Sequence, residues 1–170
     1  MKTPESIQKL LGSVVAEREP GRLLLIGATD ADASRITACA PDECDVVRLS
    51  ADDSATSALA NDVRFDLAVV IHTLETLSPE AGKRLLGRLR NVLAQSVVAS
   101  VRARSDDTDD HTTWCISDFI AMGFRQYRTS AQLAEGWSVY RYDIHDYKTT
   151  PDWLSSRYWA NPERWDKERW

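Results

Sequence analysis

The sequence is poor in features that would define a site by themselves. Its 170 residues include three cysteines, three histidines and seven glycines. So few cysteines, in an odd number, exclude a disulfide scaffold, and no two histidines have the helical or hairpin spacing of metal ligands. The longest apolar runs, 23–26 and 67–71, are far shorter than the roughly 20 residues of a membrane-spanning helix. We therefore predict neither a metal site nor a membrane contact.

Excess positive charge is also missing. Lys and Arg number 21 against 26 Asp and Glu, for a net charge of −5. Such a balance disfavours nucleic acid as a partner. Four cations on one predicted helix are an exposed outer face or, less simply, a contact for RNA or an acidic partner: Lys83, Arg84, Arg88 and Arg90. The opposite stripe of that helix is apolar, which favours the exposed face.

The start of the chain and the cysteines bear on the compartment. Residues 1–5 contain no apolar stretch of the kind found in a cleaved leader. Few cysteines suit a reducing environment. We therefore expect a cytoplasmic protein.

Alternating helix and strand patterns are what the sequence does contain. Thr3-Pro4-Glu5 has the order of an N-cap, a first-turn proline and an early acid, so we predict that Thr3 caps a first helix. Further helices are predicted over 30–40 and from Ser78 onward. Strands are predicted at 22–26, 45–49, 65–71 and 97–101. This βαβ order predicts right-handed crossovers in a mostly parallel sheet, and the unbroken apolar strands indicate burial on both faces.

The pattern changes after residue 101. A short helix over 117–122 should end at Gly123 in a left-handed cap. Two strands follow, 124–129 and 137–144, and their short connection predicts an antiparallel pair. The predicted fold class is therefore α/β: a three-layer α/β/α sandwich whose Rossmann-like, mostly parallel sheet carries a C-terminal antiparallel hairpin.

The last twenty residues form a distinct region. We predict one α/β domain over 1–150 and a Trp-rich extension over 151–170. Four of the six tryptophans lie in that extension: Trp153, Trp159, Trp165 and Trp170. Each aromatic side chain can bury about 150–250 Å², so we expect the extension to dock on its own domain or on a partner subunit, the latter giving a homodimer.

Two segments carry a resemblance to a known family. Residues 65–80, FDLAVVIHTLETLSPE, resemble the fourth strand and following loop of class I S-adenosylmethionine-dependent methyltransferases. Residues 118–124, DFIAMGF, resemble that family's short helix and its Gly-Phe step into the hairpin. The resemblance covers about residues 22–144. It implies the fold above, S-adenosylmethionine as cofactor, and methyl transfer to a small-molecule or protein acceptor.

The resemblance also implies a cofactor site. The methionine part of the cofactor would be lined by the turn after the first strand: Gly27, Ala28, Thr29 and Asp30. Asp52 or Asp53 would meet the ribose or adenine. The segment from His72 to Glu75 would face the acceptor, with His72 also near the cofactor.

His72 and Glu75 are the catalytic candidates. His72 is the one side chain in its segment that can act as a base near neutral pH, and Glu75 lies three positions further on. Catalysis would consist chiefly of positioning the acceptor and the methyl group. A solvated or locally hydrogen-bonded His72 is the plainer alternative.

The first turn departs from the family's pattern. Leu25 stands where the family has an acid, and Thr29 and Ala31 replace two of its three glycines. A β-branched residue such as Thr29 resists the conformations that glycine permits. Gly27 and Phe65 are only 38 positions apart, so one βα unit should be missing. Two hypotheses stay open: a degenerate methyltransferase-like enzyme, and a non-catalytic binding or assembly module that has lost the cofactor.

Structural roles compete for several other residues. Asp30 and Asp32 are either ligand contacts or caps of the second helix. Acids beside Cys39 and Cys44 should raise their thiol pKa values, which disfavours an activated nucleophile. Cys115, between two apolar neighbours, is predicted to be buried.

Overall fold

The computed structural model describes residues 3–51, 63–102, 114–128, 134, 136–147 and 167. The strands are β1 (Arg22–Ile26), β2 (Asp45–Leu49), β3 (Phe65–Val70), β4 (Ala94–Arg102), β5 (Arg125–Arg128) and β6 (Trp137–Asp143). The helices are α1 (Glu5–Arg18), α2 (Asp30–Thr37), α3 (Pro79–Arg88), α4 (Ile116–Ala121) and the single turn α5 (Ile144–Tyr147). A wider helical turn, Leu89–Leu93, joins α3 to β4.

The six strands form one mixed sheet in the order β2-β1-β3-β4-β6-β5. The first four are parallel, with Leu24 of β1 opposite Val47 of β2 and Ala68 of β3. Strand β6 runs antiparallel to both β4 and β5. The predicted parallel sheet with a C-terminal antiparallel hairpin is confirmed.

Helices cover both faces of the sheet. Side chains along a strand alternate between the two faces, so the apolar strands present a surface to bury on each. Leu23 and Leu25 of β1 pack with α1 and α2, whereas Leu24 and Ile26 pack with α3 and α4. All four leucine and isoleucine side chains are fully buried. The predicted three-layer α/β/α sandwich is therefore confirmed.

The crossover from β1 to β3 is short. Its described residues contain one helix, α2, and one strand, β2, in the segment where the sequence predicted one βα unit to be missing. Residues 52–62 of this crossover lie outside the described residues. Within the described part, β2 pairs with β1 at the outer position of the sheet.

Helix ends follow the predicted capping chemistry in two places. Ser78 Oγ accepts a hydrogen bond from Ala81 N at 3.3 Å, and Pro79 occupies the first helical position. At the end of α4, Gly123 has φ +78°, and its N–H donates to Ile120 O at 2.8 Å. This is the left-handed cap that the sequence predicted.

Three local predictions are wrong. Pro4, not Thr3, is the N-cap of α1, and it makes no side-chain capping bond, because the Thr3 hydroxyl is engaged elsewhere in the fold. Helix α2 ends at Thr37 rather than near residue 40. Cys115 is exposed because it precedes α4 at the surface, although its neighbour Trp114 is buried.

Candidate functional site

The carboxyl ends of β1 and β3 lie side by side and carry two left-handed residues. Gly27 follows β1 with φ +71°, and His72 comes soon after β3 with φ +54°. The strands stay paired to this point, since Ile71 N donates to Ile26 O at 2.9 Å. In open α/β sheets, ligands bind at this edge.

Gly27 is packed directly against the segment after β3. A Cβ atom at position 27 would lie 2.1 Å from Ile71 O and 2.3 Å from Thr73 Oγ1. The Thr73 hydroxyl itself donates to Ile71 O at 3.0 Å. The contact between the two loops therefore requires glycine here, whether or not a ligand approaches.

The first turn of α2 begins with a capping box. Thr29 is the N-cap, and its Oγ1 accepts from Asp32 N at 3.2 Å. Asp32 Oδ2 accepts from Thr29 N at 3.4 Å and from the Thr29 hydroxyl at 2.7 Å. Thus Asp32 does cap the helix, one of the two roles open from the sequence.

Asp32 also gathers donors from the N-terminal part of the chain. It is fully buried. Thr3 Oγ1 donates to Oδ2 at 2.9 Å, and Gln8 Nε2 donates to Oδ1 at 2.7 Å. Burial, the largest single influence, raises the pKa of this carboxyl, but the hydrogen bonds from Thr29, Gln8 and Thr3 together hold its pKa below the usual value.

His72 completes this buried network and is only 8% exposed. Its Nε2 lies 2.7 Å from Thr3 Oγ1 and 3.6 Å from Asp32 Oδ2. Because the one hydroxyl hydrogen of Thr3 is donated to Asp32, Thr3 accepts from His72 Nε2–H. The Nδ1 atom is buried and has no partner among the described residues. The Trp137 ring meets the imidazole edge-on, at 5.6 Å between centroids.

Glu75 points away from this network. Its Oε1 accepts from Arg102 N at 2.7 Å, which ties it to the end of β4. Its Oε2 is buried without a partner in the described part of the chain. Nearby, Trp114 Nε1 donates to Leu74 O at 2.9 Å. The loop of residues 71–77 is therefore held from several sides.

The structure brings some of the predicted site residues together and separates others. Gly27, Thr29 and His72 lie at one edge with Asp32. The carboxylate of Asp30 is 96% exposed and pairs with Arg48 at 2.8 Å, and Arg48 also reaches the carbonyl of Ala28 at 3.5 Å. Asp52 and Asp53 lie outside the described residues.

Sequence reasoning missed the parts that Thr3 and Gln8 play in this site. Gln8 shares one helical stripe with Leu11 and Val15, and a glutamine among core positions signals a buried partner. Nothing local marks Thr3, because its partners are 29 and 69 positions away.

The surroundings of Cys44 disfavour an activated thiol. Burial raises the pKa of Cys44, and the charges of Asp45 and Asp66 raise it further, in line with the expectation for that cysteine. Within the described ranges, no three His, Cys, Asp or Glu side chains group as metal ligands. No helix in those ranges is both long and apolar enough to cross a membrane.

Several solved methyltransferase structures have the same fold as this chain. An O-methyltransferase family protein from Burkholderia thailandensis superposes with a TM-score of 0.59 at 4% identity, over 79% of this chain and 54% of that one. The 1,6-didemethyltoxoflavin-N1-methyltransferase of that organism, solved with S-adenosylhomocysteine, gives 0.55 at 15% identity, over 81% and 77%. Human N-acetylserotonin methyltransferase in complex with SAM gives 0.51 at 11%, over 79% and 52%. The chain has a methyltransferase-like fold.

This chain covers only 54% and 52% of the lengths of two of these three proteins. No curated protein matches the sequence. A family model, described as a family of unknown function (DUF6231), matches residues 5–170. The chain belongs to that family, and the match includes the Trp-rich extension.

Proposed function

We propose that this chain is a methyltransferase-fold protein that works as a binding or assembly module without S-adenosylmethionine. The observation that carries the proposal is the closure of the sheet edge by the protein's own side chains. The first turn of α2 and the loop 71–77 are joined through Thr3, at 2.9 Å to Asp32 and 2.7 Å to His72. A cofactor between these two elements would have to break both contacts.

The residues present do not fit the cofactor's amino-acid end. Thr29 stands where the family uses glycine, and its side chain is fixed in the capping box. The carboxylate of Asp32, which could pair with an ammonium group, already accepts from Thr3, Gln8 and Thr29. Breaking hydrogen bonds to a buried charge costs about 1.5–3 kcal/mol each, which a ligand would have to recover.

Thermal unfolding of the full chain with S-adenosylmethionine or S-adenosylhomocysteine tests this proposal. A ligand at 100 times its dissociation constant stabilises its protein by about 2.7 kcal/mol. We expect no rise in Tm at millimolar ligand. The Burkholderia thailandensis enzyme solved with S-adenosylhomocysteine is the positive control. A saturable rise for this chain would overturn the cofactor-free function.

A degenerate methyltransferase-like enzyme is the second candidate. It is favoured by the convergence of Gly27, Asp32 and His72 at the edge where open α/β sheets bind ligands. S-adenosylmethionine, when bound, would supply an electrophilic methyl group for a small-molecule or protein acceptor. In this case Nδ1 of His72 would have to become accessible before it could take a proton from an acceptor, because it is buried and Nε2 already carries a proton. The thermal unfolding experiment above separates the two candidates.

For an assembly module, the Trp-rich extension at 151–170 is the proposed contact with a second copy of the chain. Its four tryptophans supply the aromatic area that is typical of interface centres. Light scattering should find a dimer for the full chain and a monomer after truncation behind Thr150. A monomeric full chain, or a dimer that survives truncation, would contradict this part of the proposal.

A further inference from the structure

The side chain of Thr3 bridges the first turn of α2 and the loop after β3. It is 3% exposed and precedes α1 by two positions. Its hydroxyl donates to Asp32 of α2 and accepts from His72 after β3. The Pro4 carbonyl accepts from Ile7 N and Gln8 N at 3.0 and 3.1 Å, which fixes the segment to α1. We call Thr3 and Pro4 the strap.

The residue that the strap holds has an unfavourable backbone. His72 has φ +54°, a region that residues with a Cβ atom rarely adopt. Its backbone conformation therefore needs support from its surroundings. The imidazole supplies such support, because it contacts Thr3 on one side and the Trp137 ring on another. Among the described residues, Asp32 is the carboxylate within 4 Å of its Nε2, at 3.6 Å.

We propose that the strap is an autoinhibitory contact that keeps the loop 71–77 closed over the sheet edge. When the hydrogen bond between Thr3 and His72 breaks, His72 loses the polar contact that supports its left-handed backbone conformation. The start of the loop, at His72 and Thr73, can then relax away from α2 and uncover the sheet edge, while Leu74 and Glu75 keep their hydrogen bonds to Trp114 and Arg102. This inference does not depend on the proposed function, because the strap closes the edge whether or not a cofactor binds there afterwards.

Hydrogen exchange in the full chain measures the opening of the loop directly. The amides of Thr76 and Leu77 are suitable reporters, because both donate to Thr73 O at 3.2 Å. Thr3→Val keeps the shape of the side chain but removes its hydroxyl. We expect these amides to exchange about tenfold faster in Thr3→Val, the scale expected from loss of the hydrogen bond between Thr3 and His72, with β3 and β4 amides unchanged.

Two matched variants serve as controls. Thr3→Ser keeps the hydroxyl and should exchange like the unmodified chain. Ser13→Ala removes a hydroxyl within α1 that donates, among the described residues, to the nearby Leu10 O at 2.7 Å, and should leave the loop unaffected. The inference is wrong if Thr3→Val leaves the reporters unchanged, or if it accelerates exchange equally throughout the sheet.

Position 72 provides a second, independent test. His72→Ala loses the imidazole but keeps a Cβ atom in the left-handed region, whereas His72→Gly also removes the strain. We expect His72→Ala to speed exchange at Thr76 and Leu77, and His72→Gly to speed it several-fold less. Equal or faster exchange in His72→Gly would show that backbone strain is not what the strap restrains, and would overturn the inference.

Discussion

The same local motif begins two helices of this protein, once in the core and once at the surface. In α2, the N-cap Thr29 is followed by Asp32, whose carboxylate reaches back to Thr29 N. In α4, Cys115 is followed by Asp118, whose Oδ2 accepts from Cys115 N at 3.2 Å and from the thiol at 3.0 Å. The two aspartates hold equivalent positions in their helices.

Their surroundings differ in burial and in the charge of the neighbours. Asp32 is fully buried and is held by neutral donors from Thr3 and Gln8. Asp118 is partly exposed and pairs with Lys83 at 2.7 Å, a lysine whose side chain is half exposed. The comparison teaches that a capping box fixes where a helix begins, whereas long-range contacts decide how much the fold depends on it.

Removal of the buried charge should have the largest effect. Asp32→Asn places an amide among donors, so we expect a loss of about 3 kcal/mol in the free energy of unfolding, the scale of breaking a buried charged network. Urea denaturation of the full chain measures it. A loss no greater than that of Asp118→Asn would contradict the distinction between the two boxes.

A single donor to the buried carboxylate should matter nearly as much. Gln8→Leu leaves Asp32 Oδ1 without its 2.7 Å bond, and we expect a loss of about 2 kcal/mol. The matched change at the surface box is Lys83→Met. If Gln8→Leu and Lys83→Met unfold at the same urea concentration, the hydrogen bond from Gln8 contributes no more to stability than the surface ion pair, which would contradict the prediction.

The surface box itself should have a moderate effect. Asp118→Asn weakens the cap of α4 and the pairing with Lys83, which predicts a loss of about 1 kcal/mol, typical of a helix cap. Helix α4 packs through the buried Phe119, which stacks on Tyr140 at 3.8 Å between ring centroids. The core should therefore hold, and the near-UV circular dichroism should stay unchanged. A lost aromatic signal would argue against this.

Lowering the pH should weaken both capping boxes, because the pKa values of the Asp32 and Asp118 carboxyl groups are lowered. Burial raises the pKa of each carboxyl group, but hydrogen bonds outweigh this effect. At Asp32 the hydrogen bonds come from Thr29, Gln8 and Thr3, and at Asp118 from Cys115 and Lys83. A lowered folded pKa gives stability that is present above the unfolded value, about 3.9, and is lost as pH falls through the folded pKa. The stability gap between the unmodified chain and Asp32→Asn should therefore shrink below about pH 4. A gap independent of pH would contradict an ionised Asp32.

Salt should produce the smallest effect. The Lys83–Asp118 pair is exposed to ions, so raising NaCl should reduce the already small effect of Lys83→Met. The same salt should leave the effect of Gln8→Leu unchanged, because Asp32 is buried. Melting curves at low and high salt compare the two. A salt-sensitive Gln8→Leu effect would place Asp32 in contact with solvent.

Local patterns predicted most of the fold. The apolar runs of β1 and β3 and the cap at Ser78 have causes within a few residues of themselves, so the sequence alone reveals them. The parallel direction of β1 to β4 followed from the crossover rule, and the antiparallel pair β5 and β6 from their short connection. Cys115 was misjudged because its neighbours are apolar, although burial at a helix start depends on which way the chain turns.

The candidate site was predictable only in part. The two loops begin where predicted strands end, so the sequence predicted that Gly27 and His72 lie at the carboxyl edge of the sheet. The role of Thr3 was not, because its usual local use is to cap the helix that follows, and here Pro4 takes that position. The bonds of Thr3 to Asp32 and His72 depend on the packing of α1 against α2, which no local pattern contains.

The closure of the sheet edge by Thr3, Asp32 and His72 is best tested by nitrogen-15 NMR of the histidine side chains at pH 8.5. We expect His72 to carry its proton on Nε2, with a proton signal that exchanges slowly with water and disappears in Thr3→Val. A His72 ring protonated on Nδ1, or an Nε2 proton that exchanges as fast as one in an exposed imidazole, would contradict the closed edge.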